Sequence, residues 1–165
     1  MNIKRIARHL TMTHWQVNRI FTRKILNTIE QAIKRSEIGH VGEIRFVVEG
    51  ALDGMPLFTG QSARGRAIDV FSQLRMWDTE YNNGVLIYLL YADRDVEIIA
   101  DRGIHSKVHS REWAKICHQM ETAFSQGDYE GGVVNGIQAV TASLAEHFPS
   151  AGASRNELSD KPVML

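Results

Sequence analysis

The most informative part of this sequence is residues 82–104, NNGVLIYLLYADRDVEIIADRGI. Residues 84–91 are almost all Val, Leu, Ile and Tyr, a run of strand length that is typical of a strand covered on both faces. Residues 96–100 form a shorter apolar run, and the Ala-Asp-Arg-Asp sequence at 92–95 separates the two. The pattern predicts an antiparallel hairpin whose first strand lies inside a sheet.

Carboxylates gather around the turn of this hairpin. Asp93 and Asp95 lie at one end of the predicted sheet, where open α/β proteins commonly bind ligands. Glu49 ends an earlier predicted strand, and it comes near Asp93 if the two strands run parallel. Two other interpretations stay open: a pair between Arg45 and Glu49, and a solvated turn in which Arg94 neutralises its acidic neighbours.

The remaining sequence alternates between helical and extended patterns. Apolar residues at three- and four-residue spacing predict helices, and period-two alternation predicts a strand. The elements are a helix at 15–38, a strand at 43–49, a helix from Ser62 as N-cap to Trp77, a helix capped by Ser110 and, after a break at Gly127, a last helix to Phe148. Gly131, Gly132 and Gly136 in that helix predict close packing against a neighbour. The order indicates an α/β protein.

Size and charge narrow the class of protein. A chain of 165 residues with 44% hydrophobic content forms a single core, and its lone cysteine, Cys117, predicts an inert packed thiol. Residues 1–35 hold eight Lys or Arg and one Glu, so they carry a formal charge of +7 against −7 for the rest. Three interpretations of this asymmetry stay open: the segment docks on the acidic remainder of the chain, binds an anionic membrane surface, or binds nucleic acid. No nucleic-acid-binding motif supports the third.

We divide the chain into three parts. Residues 1–24 form a basic amphipathic helical extension, residues 25–148 form the domain, and residues 149–165 form a flexible tail without periodicity. The chain shows neither the apolar length of a membrane span nor a secretory signal. We therefore expect a cytoplasmic protein that lies peripherally at the inner membrane.

Five short motifs follow one another along residues 25–148. They are a small residue before an apolar strand at 42–48, a helix with Ala67, Phe71 and Trp77, the string Asn82-Asn83-Gly84-Val85-Leu86, the pair Asp93-Arg94 followed by Gly103, and the set Met120, Phe124, Gly127, Tyr129 and Gly132. In this order they resemble the TPM domain family. The resemblance implies a three-layer α/β/α sandwich around a small mixed sheet of roughly three or four strands, here with an extra N-terminal helix.

The same resemblance implies functions. Members of the family are usually exported or membrane-tethered and associate with envelope or thylakoid membrane complexes, and some are described as calcium-binding or as acid phosphatases. This chain departs from the pattern because Asn82 stands where an acidic residue is usual, and because the usual export signal and membrane anchor are missing.

The resemblance also suggests a cation site. A Ca²⁺ ion takes about six to eight oxygen ligands, and the expected ligands for Ca²⁺ or Mg²⁺ are Asp78, Glu80, Asn82 and Asp93; solvated loop acids are the alternative. In a phosphatase, the cation would polarise a phosphate monoester and activate water while Arg94 stabilises the developing charge. Asp93 and Arg94 are then the catalytic candidates.

We therefore expect an accessory or binding domain of the TPM type. Its expected partner is a protein or a membrane complex, with an anionic membrane surface contacted through residues 1–35 and no role for nucleic acid. The alternative function is a weak, divalent-metal-dependent acid phosphatase.

Overall fold

The computed structural model describes residues 3–152 and 155–165. Within these residues helices and strands alternate as the sequence predicts. The helices are α1 (Ile3–Thr11), α2 (His14–Ile20), α3 (Arg23–Ser36), α4 (Gly54–Phe58), α5 (Ala63–Gln73), α6 (Arg102–His105), α7 (Ser110–Ser125) and α8 (Tyr129–His147). The strands are β1 (Glu43–Glu49), β2 (Gly84–Leu90), β3 (Asp95–Ala100) and β4 (Val163–Met164).

The four strands form one mixed sheet in the order β3-β2-β1-β4. β1 and β2 run parallel in a register that pairs Glu43 with Gly84 and Glu49 with Leu90. β2 and β3 run antiparallel and are joined by the short turn at residues 91–94, which confirms the predicted hairpin. Every residue of β2 is buried, as a strand covered on both faces requires.

Helices cover both faces of the sheet, which confirms the predicted α/β/α sandwich. Ile44, Phe46 and Val48 of β1 face a core shared with α3, α7 and α8. Val47 of the same strand faces the opposite way, into a second core with α4 and α5. The alternation follows from the pleat of the strand, whose successive side chains point to opposite faces.

The predicted helix at 15–38 is wrong in one respect, because the chain breaks at Phe21. Phe21 ends α2 and inserts into the main core, where it is buried. Thr22 then caps α3 by accepting a hydrogen bond from the Ile25 N–H. Val17 and Phe21 pack with the rest of the domain, so the division at residue 24 cuts through a packed segment and stays a prediction of the sequence alone.

The prediction of a C-terminal tail without structure is also wrong for its last residues. Val163 and Met164 pair with Val47 and Val48 and add a parallel strand to the edge of the sheet. Leu165 extends the pairing, since its N–H donates to the Val48 carbonyl at 2.9 Å. Backbone hydrogen bonds hold this segment, and two strand residues are too few to leave a periodic pattern.

The helix ends and the packing glycines largely match the predictions from the sequence. Ser62 caps α5 as predicted, although α5 ends at Gln73, four residues before Trp77. The cap of α7 is His109 instead of Ser110. Gly132 and Gly136 allow α8 to approach α7, because a Cβ at Gly132 would lie 2.7 Å from the Phe124 ring and one at Gly136 would lie 2.4 Å from the Met120 sulfur.

Candidate functional site

The candidate residues lie at the two opposite ends of the central strands β1 and β2. Glu49, Asp93 and Asp95 lie at the C-terminal ends of β1 and β2. The parallel register brings the hairpin turn beside Glu49, since the Tyr91 N–H donates to the Glu49 carbonyl at 2.9 Å. The loop at 78–83 precedes β2 and lies at the N-terminal end of this strand, about 20 Å away along its seven residues. Asp78, Glu80 and Asn82 therefore cannot share one cation with Asp93.

Three side chains of α1 surround the carboxylate of Asp93. Arg5 contacts it at 2.8 Å, His9 Nε2 lies 3.0 Å away and Arg8 lies 3.9 Å away. Burial alone would raise the pKa of Asp93, but the hydrogen bonds from Arg5 and His9 outweigh burial and lower it below its usual value. The basic N-terminal helix thus docks on the hairpin turn at the acidic end of the sheet. Asp93 is therefore neither a solvated turn residue nor a free base.

His9 fixes this docking through both ring nitrogens. The ring is buried, and its Nδ1 accepts a hydrogen bond from the Leu52 N–H at 2.9 Å. Since Nδ1 accepts, the ring proton of the neutral imidazole sits on Nε2 and is donated to Asp93. Sequence reasoning missed Arg5 and His9; their four-residue spacing, which places both on one helix face, was the available signal.

Glu49 belongs to a second closed network. Arg66 of α5 donates to both of its oxygens, with the shortest contacts at 2.9 Å, and the hydroxyl of Tyr88 donates at 2.5 Å. The proposed Arg45–Glu49 pair is wrong, because Arg66 reaches Glu49 from the helix that covers this face. Burial, and then the contact with Glu49, raise the pKa of Tyr88, so the phenol stays a donor. The Glu49 oxygens have no position left for a cation.

The loop before β2 does not gather its acids. Asp78 forms an exposed ion pair with Arg75 at 2.7 Å. The side-chain oxygen of Asn82 accepts a hydrogen bond from Arg102, and the Glu80 side chain is exposed. Among residues 3–152 and 155–165, no three His, Cys, Asp or Glu side chains meet in a way that could hold a metal ion. The residues present do not fit the expected cation site.

Asp95 faces a groove of about 510 Å³ beside the edge strand β3. Burial, and then the charges of Glu97 and Glu121, raise the pKa of Asp95 to about 6. Burial also raises the pKa of the Cys117 thiol to about 12, as expected of an inert cysteine. Glu121 accepts a hydrogen bond from the Val96 N–H at 3.0 Å and so protects this edge of the sheet.

The side chains of Arg94 and Asp93 face different elements although the two residues are adjacent in sequence. Arg94 has a positive φ of 56° and lines a cavity of about 400 Å³ against α7 and α8. Asp93 instead lies against α1. The two catalytic candidates therefore do not line one pocket.

Known proteins share the sequence pattern and the fold of this chain. The sequence model of the TPM domain matches residues 17–143. No curated protein sequence matches the chain significantly. The NMR structure of the BA42 protein from the psychrophilic bacterium Bizionia argentinensis is similar, with a TM-score of 0.77, 30% identity and coverage of 87% of this chain and 94% of that one.

Two more distant structures share the fold. The N-terminal domain of a protein from P. gingivalis has a TM-score of 0.61 at 18% identity, covering 79% of this chain and 82% of that one. The N-terminal domain of the cg2496 protein from Corynebacterium glutamicum has a TM-score of 0.54 at 15% identity, covering 82% and 80%.

Proposed function

The chain belongs to the TPM domain family, and from this premise we propose that it is an accessory binding domain which attaches to an anionic membrane surface through α1 and α2. The attachment would present the domain to a protein partner or a membrane complex. The observation that carries the proposal is an exposed apolar stripe with basic neighbours on these two helices.

The stripe runs along the side of α1 that faces away from the sheet. Ile3, Ala7 and Leu10 follow one another at helical spacing, and Ile3 and Leu10 are 74% and 65% exposed. Trp15 at the start of α2 is 66% exposed, and the Arg19 guanidinium lies 5.3 Å from its ring centre. An amphipathic helix with such a face binds in the interfacial layer of a membrane.

The charges around the stripe have the matching sign. Arg5 and His9 are turned inward to Asp93. Lys4 and Arg8 of α1 and Arg19 of α2 are exposed, as are Arg23 and Lys24 at the start of α3. Each basic residue close to an anionic bilayer contributes about 1 kcal/mol of attraction.

No helix within residues 3–152 and 155–165 is long and apolar enough to cross a membrane.

Vesicle flotation with paired variants tests the proposal. We expect the wild-type protein to float with vesicles that contain phosphatidylserine and to stay in the soluble fraction with phosphatidylcholine alone. Leu10→Glu should weaken binding by about tenfold or more, because it places a charge in the stripe. Ile38→Glu is the matched control, since Ile38 is 79% exposed but lies outside α1 and α2. Equal flotation of both variants with wild type would contradict the proposal.

A metal-dependent phosphatase is the second candidate. Its supporting observation is the exposed guanidinium of Arg94, which has no carboxylate partner among the described residues; Asp93 faces α1 instead. A Ca²⁺ or Mg²⁺ ion at Asp93 would have to displace Arg5 and His9. Turnover of a phosphomonoester that is lost both with EDTA and in Asp93→Ala would support this function; turnover unaffected by either would remove the mechanism.

A further inference from the structure

The cavity beside Arg94 is built from residues of three separate elements. Leu89 and Tyr91 come from the end of β2 and the turn after it, Phe124 from α7, and Tyr129 from α8. Gly127 completes the wall, and its φ of +82° turns the chain between the two helices. Arg94, Phe124, Gly127 and Tyr129 all belong to the ordered motifs in the sequence, yet the membrane surface on α1 and α2 uses none of them.

The walls of this cavity are aromatic. The rings of Phe124 and Tyr129 are stacked, with centres 5.1 Å apart and an angle of 14° between them. The Tyr91 ring also lies near Tyr129, with a centre-to-centre distance of 6.0 Å and an angle of 39° between the rings. At about 400 Å³, the cavity has the volume of a site for a small molecule, about 300 to 1,000 Å³. Its surface suits a planar, apolar group.

The polar groups of the cavity define the charge of a ligand. Arg94 is the one cation in the lining, and it makes no ion pair with a carboxylate among residues 3–152 and 155–165. Burial, and then the hydrogen bond with Tyr91, raise the pKa of Tyr129 to about 12, so its hydroxyl stays neutral. Glu121 also lines the cavity and repels negative charge. One guanidinium opposed by one carboxylate favours a ligand with a single negative charge over a dianion.

We propose that this cavity binds a small aromatic carboxylate, with the carboxylate on Arg94 and the ring against Tyr91, Phe124 and Tyr129. A planar guanidinium binds a carboxylate through two parallel hydrogen bonds. The site is separate from the membrane-binding surface proposed for α1 and α2, so either proposal can fail without the other.

Amide NMR of the full chain with benzoate as the probe tests the assignment. Benzoate should cause saturable shifts at Arg94, Gly127 and Tyr129. Arg94→Gln should weaken binding by about tenfold or more through loss of the charge-assisted contact, and Arg94→Lys should restore part of it. Arg111→Gln is the matched control, because Arg111 is exposed near the start of α7, about 20 Å along the helix from the cavity. Ser125→Phe should abolish binding by filling the cavity, while the spectrum elsewhere reports an intact fold.

Phenyl phosphate and benzyl alcohol separate the contributions of charge and ring. The proposal expects benzoate to bind more tightly than the dianionic phenyl phosphate, and benzyl alcohol to bind most weakly. It is overturned if no saturable shift appears up to about 10 mM benzoate, if Arg94→Gln binds like wild type, or if phenyl phosphate binds more tightly than benzoate.

Discussion

At the scale of single residues, the acids that suggested a ligand site are used inside the protein. Asp93 is paired with Arg5 and His9, and Glu49 is paired with Arg66 and Tyr88. A carboxylate with all of its partners in place is costly to disturb, because removing its charge leaves buried donors unsatisfied. These two residues hold elements together: Asp93 holds α1 to the hairpin turn, and Glu49 holds α5 to the sheet.

Neutralising Asp93 should therefore lower stability. Asp93→Asn removes the charge opposite Arg5 and His9, and we expect the free energy of unfolding at pH 7 to fall by about 1 to 3 kcal/mol. Because the pKa of Asp93 is lowered from 3.8 in the folded state, its contribution is present above that value and lost as the pH falls through the folded pKa. Urea unfolding at pH 7 and at about pH 3 measures both effects.

Asp78→Asn is the control for this experiment. The carboxylate of Asp78 is 53% exposed in its pair with Arg75, so its neutralisation should change stability by less than about 0.5 kcal/mol. A loss at Asp78 as large as that at Asp93, or no loss at Asp93, would contradict the docking of α1 through this carboxylate.

At the scale of elements, the C-terminal segment is held to the body of the domain by carboxyl groups. Glu43 accepts hydrogen bonds from the N–H groups of Glu157 and Leu158. Burial raises the pKa of Glu43 to about 7. Burial, and then the neighbouring Asp160, raise the pKa of Glu37 to about 8. Asp160 belongs to the C-terminal segment, so these groups make the attachment of β4 sensitive to pH.

Replacing Glu37 with Gln should stabilise the protein at high pH. A carboxyl whose folded pKa is raised from 4.5 to about 8 contributes stability that is complete below 4.5 and lost as the pH rises through about 8. Gln does not ionise, so Glu37→Gln should unfold about 2 to 4 °C above wild type near pH 9 and close to wild type near pH 4.5. Thermal unfolding at both values tests this; Glu146→Gln, at an exposed position, should show no such difference. A stabilisation independent of pH would argue against the ionisation of Glu37 as its cause.

The elements also show what the sequence can predict and why. β1, β2, β3 and the stripes of α7 and α8 were predictable because burial imposes a period of two or 3.6 on them. The break at Phe21 was not, since apolar spacing continues through it and only the direction of the chain changes. β4 was missed because two strand residues are too few to leave a periodic pattern. The site partners Arg5 and Arg66 were missed because they come from helices distant in sequence, and charge alone does not specify which acid a cation will reach.

At the scale of the whole molecule, the basic N-terminal segment has an inward side that pairs with Asp93 and an outward side that stays exposed. The basic N-terminal segment binds inward to the acidic edge of the sheet through Arg5 and His9. The outward side of the same helices keeps exposed cations around Ile3, Leu10 and Trp15. The formal net charge of zero therefore conceals a docked helix with an outward face that remains positive and apolar.

Amide NMR of the full chain, titrated with small bicelles that contain an anionic lipid, tests whether the outer face of α1 and α2 binds a membrane while α1 stays docked on the sheet. We expect the resonances of Ile3, Leu10 and Trp15 to shift or broaden, while the Leu52 amide, which donates to His9, keeps its position because α1 stays docked. Zwitterionic bicelles should leave all four unchanged. Equal changes with both lipids, or changes confined to residues outside α1 and α2, would contradict this expectation.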